Sequence, residues 1–292
     1  MYKIHCLNNI SKSGLSILPN TYQLTDDINE AHAILVRSAK MHDLKLNQQV
    51  LAVARAGAGV NNIPLDAYAK EGVVVFNTPG ANANAVKELT IAGMFLAARH
   101  IKAGMHWIDE NNTDPDIQKN MEKAKKDFAG TEILNKTIGI IGLGAIGLML
   151  ANTCAKLGMK VLGTKRNLES LKDLDFHDNV TLVKTKEEIY EKADYISLNL
   201  PLSDQTKHMI DAYAFKQMKD GVILLNFARD QLVNDDDLET YLNNGKVRAY
   251  VTDFPNAKTA QMDKVIALPH LGASSEEAEE NCAVMASTEI KQ

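Results

Sequence analysis

Short apolar runs separated by polar, turn-forming segments dominate the chain, and their spacing predicts alternating strands and helices. The N-terminus, Met1-Tyr2-Lys3-Ile4-His5-Cys6-Leu7, reads as a strand rather than a signal peptide. Ala33-Ile34-Leu35-Val36, Val50-Leu51-Ala52-Val53 and Val73-Val74-Val75-Phe76 follow, each continuous and each succeeded by turn chemistry. Runs of this kind suit strands buried on both faces of a parallel sheet. A long helical pattern then extends from about 85 to about 108 and ends in Asp109-Glu110-Asn111-Asn112-Thr113-Asp114-Pro115, polar with a breaker. Beyond it, apolar runs recur at 137–141, 159–163, 193–200, 222–227, 247–251 and 265–268. Thr185-Lys186-Glu187-Glu188 has capping-box form, and Asn234-Asp235-Asp236-Asp237 places acids in the first turn of another helix, where they suit its dipole. Alternation of this sort predicts an α/β fold of doubly wound parallel sheets.

One βαβ unit carries chemistry. Gly142-Leu143-Gly144-Ala145-Ile146-Gly147 reads G-x-G-x-x-G after the run 137–141 and before a helical pattern that Gly158 can stop. Glycines there let the backbone turn tightly and approach a pyrophosphate, whose charge a helix N-terminus stabilises. In open sheets of this class, ligands bind beyond the carboxyl ends of the strands. Those ends are followed by Thr164-Lys165-Arg166, by Pro201 after Asn199-Leu200, by Ala228-Arg229-Asp230 after Phe227, by Thr252-Asp253, and by Pro269-His270. A phosphate cradle, an Arg, an Asp and a His thus converge on one crevice. Hydride transfer needs such a set: a cation for an anionic substrate and an acid/base for the accompanying proton. Singly, Arg229 also reads as half of a surface ion pair with Asp230, His270 as a turn residue and Asp253 as a turn cap.

Composition narrows the partners. The 292 residues are 45% hydrophobic and 24% charged, enough for sizeable cores, and the net charge of −5 argues against nucleic acid or an anionic membrane surface. Cys6, Cys154 and Cys282 are scattered, without metal-ligand or redox spacing, which predicts no metal and a reducing compartment such as the cytoplasm. The apolar run 139–151 is too short to span a bilayer. A soluble enzyme acting on a small molecule is the class that remains.

Five segments then make the chain recognisable: Arg55-Ala56-Gly57-Ala58-Gly59-Val60-Asn61-Asn62, the stretch from Phe76-Asn77-Thr78-Pro79-Gly80 to Lys87-Glu88, Gly139-Ile140-Ile141 with the glycine motif, Asn226-Phe227-Ala228-Arg229, and Pro269-His270-Leu271-Gly272-Ala273-Ser274. Together they resemble the D-isomer-specific 2-hydroxyacid dehydrogenases, and within them the short bacterial phosphoglycerate dehydrogenase type. The resemblance implies a smaller, flavodoxin-like substrate domain over 1–84, rejoined by a C-terminal helix 274–292. It implies a Rossmann-type NAD(P)-binding domain over 85–273, and a homodimer paired through the helix 85–108. Arg229 would clamp the substrate carboxylate and carbonyl, and His270 would exchange the proton. Ala56, Gly57 and Asn61 would bind the carboxylate, and Arg37, Ser38 and Lys125 the substrate phosphate. Thr78, Ala145, Ile146, Leu200, Pro201, Phe227, Ala228, Asp253 and Gly272 would line the cofactor beside Gly142, Gly144 and Gly147. The implied reaction interconverts 3-phosphoglycerate and 3-phosphohydroxypyruvate on the way to L-serine. A glyoxylate or hydroxypyruvate reductase, or a dinucleotide-sensing corepressor, could use the same scaffold.

Three positions depart from the family pattern. Lys165-Arg166 stands where an acid usually meets the cofactor ribose, which leans the choice from NAD to NADP. No carboxylate occupies the place near Ala257 that usually partners the catalytic His. The chain also ends inside a helical pattern, at Glu289-Ile290-Lys291-Gln292, with no segment for a serine-binding regulatory domain.

Overall fold

The computed structural model describes residues 1–291; Gln292, the last position of the expected C-terminal helix, lies outside them. In chain order the elements are β1 (Tyr2–Cys6), α1 (Lys12–Leu15), β2 (Tyr22–Leu24), β3 (Ala33–Val36), β4 (Ala52–Arg55), α2 (Leu65–Lys70), β5 (Val74–Phe76), α3 (Ala83–Ala98), α4 (Ile101–Glu110) and α5 (Ile117–Ala124). There follow β6 (Thr137–Ile141), α6 (Ala145–Lys156), β7 (Lys160–Thr164), β8 (Val180–Leu182), α7 (Lys186–Lys192), β9 (Tyr195–Leu198), α8 (Ala212–Gln217), β10 (Val222–Asn226), α9 (Asp235–Asn243), β11 (Val247–Thr252), β12 (Val265–Ala267) and α10 (Glu276–Ile290). They divide into two units. One takes Met1–Ala85 and the segment from Ala273 onward; the other takes Val86–Gly272. The boundary therefore falls within α3.

The smaller unit holds a five-stranded sheet in the order β2-β1-β3-β4-β5, parallel throughout. This is the flavodoxin-like order, reversing direction between β1 and β3. Successive side chains of a strand point to opposite faces. Ala33 and Leu35 accordingly join Ala283 and Ala286 of α10, while Ile34 and Val36 join Tyr68 of α2. Both faces are covered, so the run needs no polar position. β4 begins two residues later than its apolar run suggests. Pairing with β3 sets the register, Ala33 with Ala52 through Val36 with Arg55, and Leu51 is left 57% exposed. Arg55 thereby becomes the last residue of its strand.

The larger unit holds a seven-stranded parallel sheet, β12-β11-β10-β9-β6-β7-β8. The order is that of a Rossmann sheet extended at one edge, with its reversal between β6 and β9. Ile138, Ile140, Ile223 and Leu225 pack with Met94 of α3 and Leu150 of α6; Ile141, Ile196, Leu198 and Leu224 pack with Ile189 of α7, Phe215 of α8 and Leu238 of α9. The capping box at Thr185 and Glu188 forms, and the Asn234 side chain accepts from the N–H groups of Asp236 and Asp237.

The helix expected over 85–108 is two helices. α3 stops at Ala98, and His100 adopts φ 50° before α4 restarts at Ile101. The cause is tertiary. Thr131 donates its N–H to the Ala98 carbonyl (2.8 Å), and Gly130 lies so close that a Cβ there would sit 2.2 Å from the same oxygen. A returning strand of chain takes over the helix end, which periodicity cannot register. α5 fills part of the stretch that followed the polar breaker, and β2 and β8 are short, half-polar strands outside the apolar runs.

Asp194 ties the start of the larger sheet together. Its Oδ2 accepts the Thr137 N–H (2.8 Å) and its Oδ1 meets Lys219 Nζ (3.0 Å). Burial opposes its charge, yet these partners hold its pKa below the ordinary value. A carboxylate depressed on folding stabilises above its unfolded pKa, and that contribution is lost as pH falls through the folded value. Asp194→Ala should therefore lower unfolding free energy by about 1–3 kcal/mol at neutral pH. In urea titrations the gap to the unsubstituted protein should close below about pH 4.

Candidate functional site

β6 delivers the chain into the glycine motif at the sheet reversal. Gly142 has φ +104°, and a Cβ on it would lie 2.4 Å from the Asn199 carbonyl oxygen and 2.8 Å from the Leu200 side chain. Gly147 approaches as closely from the other side: a Cβ there would lie 2.1 Å from the Gly142 oxygen. The first and third glycines thus allow loop, neighbouring strand end and α6 to touch. Gly144 differs. A Cβ there would meet nothing within 4 Å, and as N-cap it offers no side chain to the first N–H groups of α6. Those groups carry the positive end of the helix dipole, so the space suits a phosphate. Ala145 is exposed and Ile146 half-buried beside it, and Pro201 is exposed beyond Leu200.

The flank of this cradle is basic. Gly142 and Leu143 donate N–H groups to the carbonyl of Thr164, the last residue of β7 (3.0 and 3.2 Å). Lys165 and Arg166 are thereby held next to the loop, Lys165 half-buried and Arg166 exposed, with Arg166 Nη2 3.3 Å from Gln205 Oε1.

A second group forms where β10, β11 and β12 end side by side. Asn226, fully buried, folds the loop after β10. Its Oδ1 accepts from the N–H groups of Ala228 (3.2 Å) and Arg229 (3.3 Å), and its Nδ2 donates to the Arg229 carbonyl (2.8 Å) and the Tyr250 hydroxyl (2.9 Å). Burial pushes the Tyr250 hydroxyl up to about 12, so this partner stays neutral. Phe227 is buried beneath the loop. Arg229 is half-buried; its Nη1 donates to the Ala228 carbonyl (2.6 Å), and its guanidinium carbon lies 5.3 Å from the centre of the Phe254 ring. It faces that ring rather than pairing with Asp230. The exposed His270 packs on the same ring, with centroids 4.3 Å apart.

Asp253, 1% exposed, joins the two later strand ends. Its Oδ2 accepts the Gly272 N–H (2.8 Å), while its Oδ1, equally buried, has no partner among the described residues. Burial raises its pKa, against the opposing pull of the Gly272 N–H and the charge of His270. An unmatched buried acceptor at the end of β11, on the same edge of the sheet as the phosphate cradle after β6, fits a nicotinamide cofactor, whose carboxamide carries an N–H₂ donor. Gly142, Gly144, Ala145 and Gly147 would hold its phosphates, Asp253 its amide end. Among the described residues, no group of three or more His, Cys, Asp or Glu could hold a metal ion.

The smaller unit places the other candidates at the ends of β3, β4 and β5. Asn8, beyond β1, accepts the N–H groups of Arg37, Ser38 and Ala39 on one oxygen (2.8, 3.1 and 3.1 Å). Arg37 pairs with Glu279 of α10 (2.7 Å), and Arg55 donates Nε to the Arg37 carbonyl (3.0 Å). The guanidinium of Arg55 also lies beside Gly57, 3.3 Å from where a Cβ would stand. Ala56 is buried, Asn61 and Ser38 are exposed, and Thr78 is fully buried with its N–H on the Gly57 carbonyl (3.1 Å). Lys125 is exposed in a 3₁₀ turn of the larger unit, paired with Glu122 and packed chiefly near α4 and α5. Sequence reading assigned no role to Asn8, Arg55, Asn226 or Phe254. Arg55 and Phe254 are residues at strand ends; the two asparagines act through side-chain contacts to loops, half-buried at Asn8 and buried at Asn226, that carry no sequence signal.

A family model, the NAD binding domain of D-isomer specific 2-hydroxyacid dehydrogenases, matches residues 91–272. The chain belongs to this family. It is 31% identical to the hydroxypyruvate reductase of Thermotoga maritima, with 97% of this chain and 95% of that protein covered. It is equally 31% identical to a D-3-phosphoglycerate dehydrogenase of Methanocaldococcus jannaschii, covering 92% of this chain but 51% of the relative. The chain thus spans about half the length of that dehydrogenase. The NAD⁺-bound 3-phosphoglycerate dehydrogenase of Entamoeba histolytica superposes with a TM-score of 0.76 at 25% identity, covering 99% of this chain and 94% of that one.

The family fold makes the three glycines separable by experiment. Gly144→Val should leave the melting temperature unchanged, because its Cβ meets open space, yet weaken dinucleotide binding roughly tenfold or more by displacing the phosphate from the helix N-terminus. Gly147→Val should lower both. Fluorescence titration with NADH and NADPH, beside thermal melts, reads the difference; unchanged affinity in Gly144→Val would remove the phosphate from this loop.

Proposed function

We propose that the protein is an NAD(P)-dependent D-2-hydroxyacid dehydrogenase that interconverts 3-phosphoglycerate and 3-phosphohydroxypyruvate. The observation that carries the reaction class is the convergence of Arg229, after β10, and His270, after β12, on the Phe254 ring that follows the intervening β11, with an oxygen of the buried Asp253 carboxylate that has no partner among the described residues. A nicotinamide held by the cradle and Asp253 would supply or accept the hydride. Arg229 holds the substrate carboxylate and C2 oxygen, where charge grows towards the transition state. In reduction His270 gives its proton to that oxygen, and in oxidation it takes the proton back. Leu200, Pro201, Phe227, Ala228 and Gly272 would line the cofactor within the larger unit. In the smaller unit Ala56, Gly57, Asn61 and Thr78 are the candidates, with the N–H groups of Ala56 and Gly57 already given to the Val36 and Arg55 carbonyls (2.8 and 2.9 Å). In the smaller unit Arg37, Arg55 and Ser38 supply contacts for a phosphate, which must displace Glu279 from Arg37.

A second substrate reading has its own support. The hydroxypyruvate reductase of T. maritima is matched almost end to end, whereas the phosphoglycerate dehydrogenase of M. jannaschii is about twice as long; the E. histolytica phosphoglycerate dehydrogenase, also covered almost end to end, supports the first reading. For the cofactor, Lys165 and Arg166 beside the cradle favour the 2′-phosphate of NADP, through charge-assisted contacts that NAD cannot make. A homodimer is supported by α4, whose ten residues include none that is buried and which exposes Ile101, Met105 and Ile108.

Removing the catalytic pair tests the chemistry. His270→Ala should lower kcat by roughly 10²–10⁴-fold. Arg229→Ala should raise KM for the oxo acid and lower kcat together. Near-native turnover in both would refute the site.

Steady-state turnover of 3-phosphohydroxypyruvate, hydroxypyruvate and glyoxylate, each with NADH and NADPH, tests substrate and cofactor at once. The phosphorylated substrate with NADPH should give the largest kcat/KM, and Lys165→Asp should reverse the cofactor order. A preference for unphosphorylated hydroxypyruvate would establish the reductase reading instead.

A further inference from the structure

Phe254 lies where the sheet order puts it: β11 runs between β10 and β12, so the residue beyond β11 stands between the residues beyond its neighbours. Arg229 follows β10 and His270 follows β12, and both rest against the Phe254 ring, at 5.3 Å from the guanidinium carbon and 4.3 Å between ring centres, the latter tilted by 44°. We propose that Phe254 is the positioning residue for both catalytic side chains, an aromatic platform that aims the guanidinium and the imidazole together. The proposal rests on the roles of Arg229 and His270 given above.

The platform is well anchored. The Phe254 N–H donates to the buried Thr252 hydroxyl (3.0 Å). Asp253, its neighbour, is bound to the Gly272 N–H and so ties the β11 end to the segment that carries His270. Pro255 follows and restricts the Phe254 backbone to extended conformations. The ring is half-buried, enough to hold its place and still present a surface to two polar side chains.

The chemistry suits the role. An aromatic ring attracts a cation through its quadrupole and does not neutralise it. Arg229 keeps its full charge for the substrate carboxylate, whereas a carboxylate in place of Phe254 would compete for it. Imidazole stacks on the ring when neutral and is attracted more strongly as imidazolium, so contact persists in both protonation states that the reaction visits. Asp253 feels the charge of His270 without hydrogen-bonding to it: its Oδ2 takes the Gly272 N–H and its Oδ1 has no partner among the described residues. Orientation of the imidazole is therefore left to the ring.

Substitution separates aromatic character from bulk. With whichever of glyoxylate, hydroxypyruvate or 3-phosphohydroxypyruvate turns over best, Phe254→Leu should lower kcat by about 3- to 30-fold and raise KM for the oxo acid. Affinity for NADH or NADPH and the melting temperature should stay near native. Phe254→Tyr should restore turnover, since its ring keeps the same face. Progressive fluorination of phenylalanine at this position weakens the quadrupole at nearly constant shape, and kcat should fall with each added fluorine. This series decides the matter even if Phe254→Leu folds poorly. A flat fluorine series, or native kcat in Phe254→Leu while His270→Ala and Arg229→Ala are impaired, would overturn the platform and leave the catalytic assignment intact. Native turnover in His270→Ala and Arg229→Ala would instead overturn the assignment on which it rests.

Discussion

Parallel strands cannot be joined by tight turns, and this constraint organises both units. Each strand must be followed by a crossover that returns across a face of the sheet, which covers both faces and gathers every carboxyl end at one edge. The continuous apolar runs follow from the first consequence, and the functional groups from the second. Ile34 and Val36 reach one core while Ala33 and Leu35 reach the other, so no position in the strand is left for a polar residue. Polar chemistry is expelled to the strand ends, where Arg55, Lys165, Arg229, Asp253 and His270 are found.

Having reached that edge, the chain still has to hold its side chains in place, and it does so by two different means. At the glycine motif, position is set by contact: removal of side chains lets backbone meet backbone, with Gly147 against Gly142 and Gly142 against Asn199. At Arg229, position is set by a buried amide. Asn226 fills both its donor and acceptor capacity on the loop and on Tyr250, so the loop has a single conformation that satisfies it.

Much of this was legible in the residues. The β6 run, the glycine motif and α6 stand where local pattern puts them, because a strand, a turn and a helix in immediate succession are decided by near neighbours. The capping signals at Thr185 and Asn234 likewise act over a single turn. What local pattern misplaced was decided at long range. β4 slid two residues to match β3, and the long helix broke at His100 because residues 130–131 occupy its end. The candidate site divides similarly. Arg229, Asp253 and His270 follow from what succeeds each strand, whereas Asn8 looks like an ordinary loop residue and Asn226 like a polar residue within an apolar run until their partners are seen. Arg37 shows the converse: its place after β3 was plain, but its pairing with Glu279, more than two hundred residues on, was not.

Asn8 draws a distinction between the two units that bears on how each can change. By accepting three consecutive N–H groups after β3, its side chain closes the backbone nest at the smaller sheet's reversal. The corresponding N–H groups of the larger sheet, at the start of α6, meet no such side chain. A phosphate at α6 would meet main-chain N–H groups, which every residue type but proline possesses, so substitution in the loop would block the site rather than retune it. An anion at the smaller sheet must rely on side chains such as Arg37 and Arg55, each replaceable by a single codon. The proposed main-chain cradle is therefore stiff against substitution, whereas the side-chain charges, Lys165 and Arg166 beside it and Arg37 and Arg55 in the smaller unit, are open to drift.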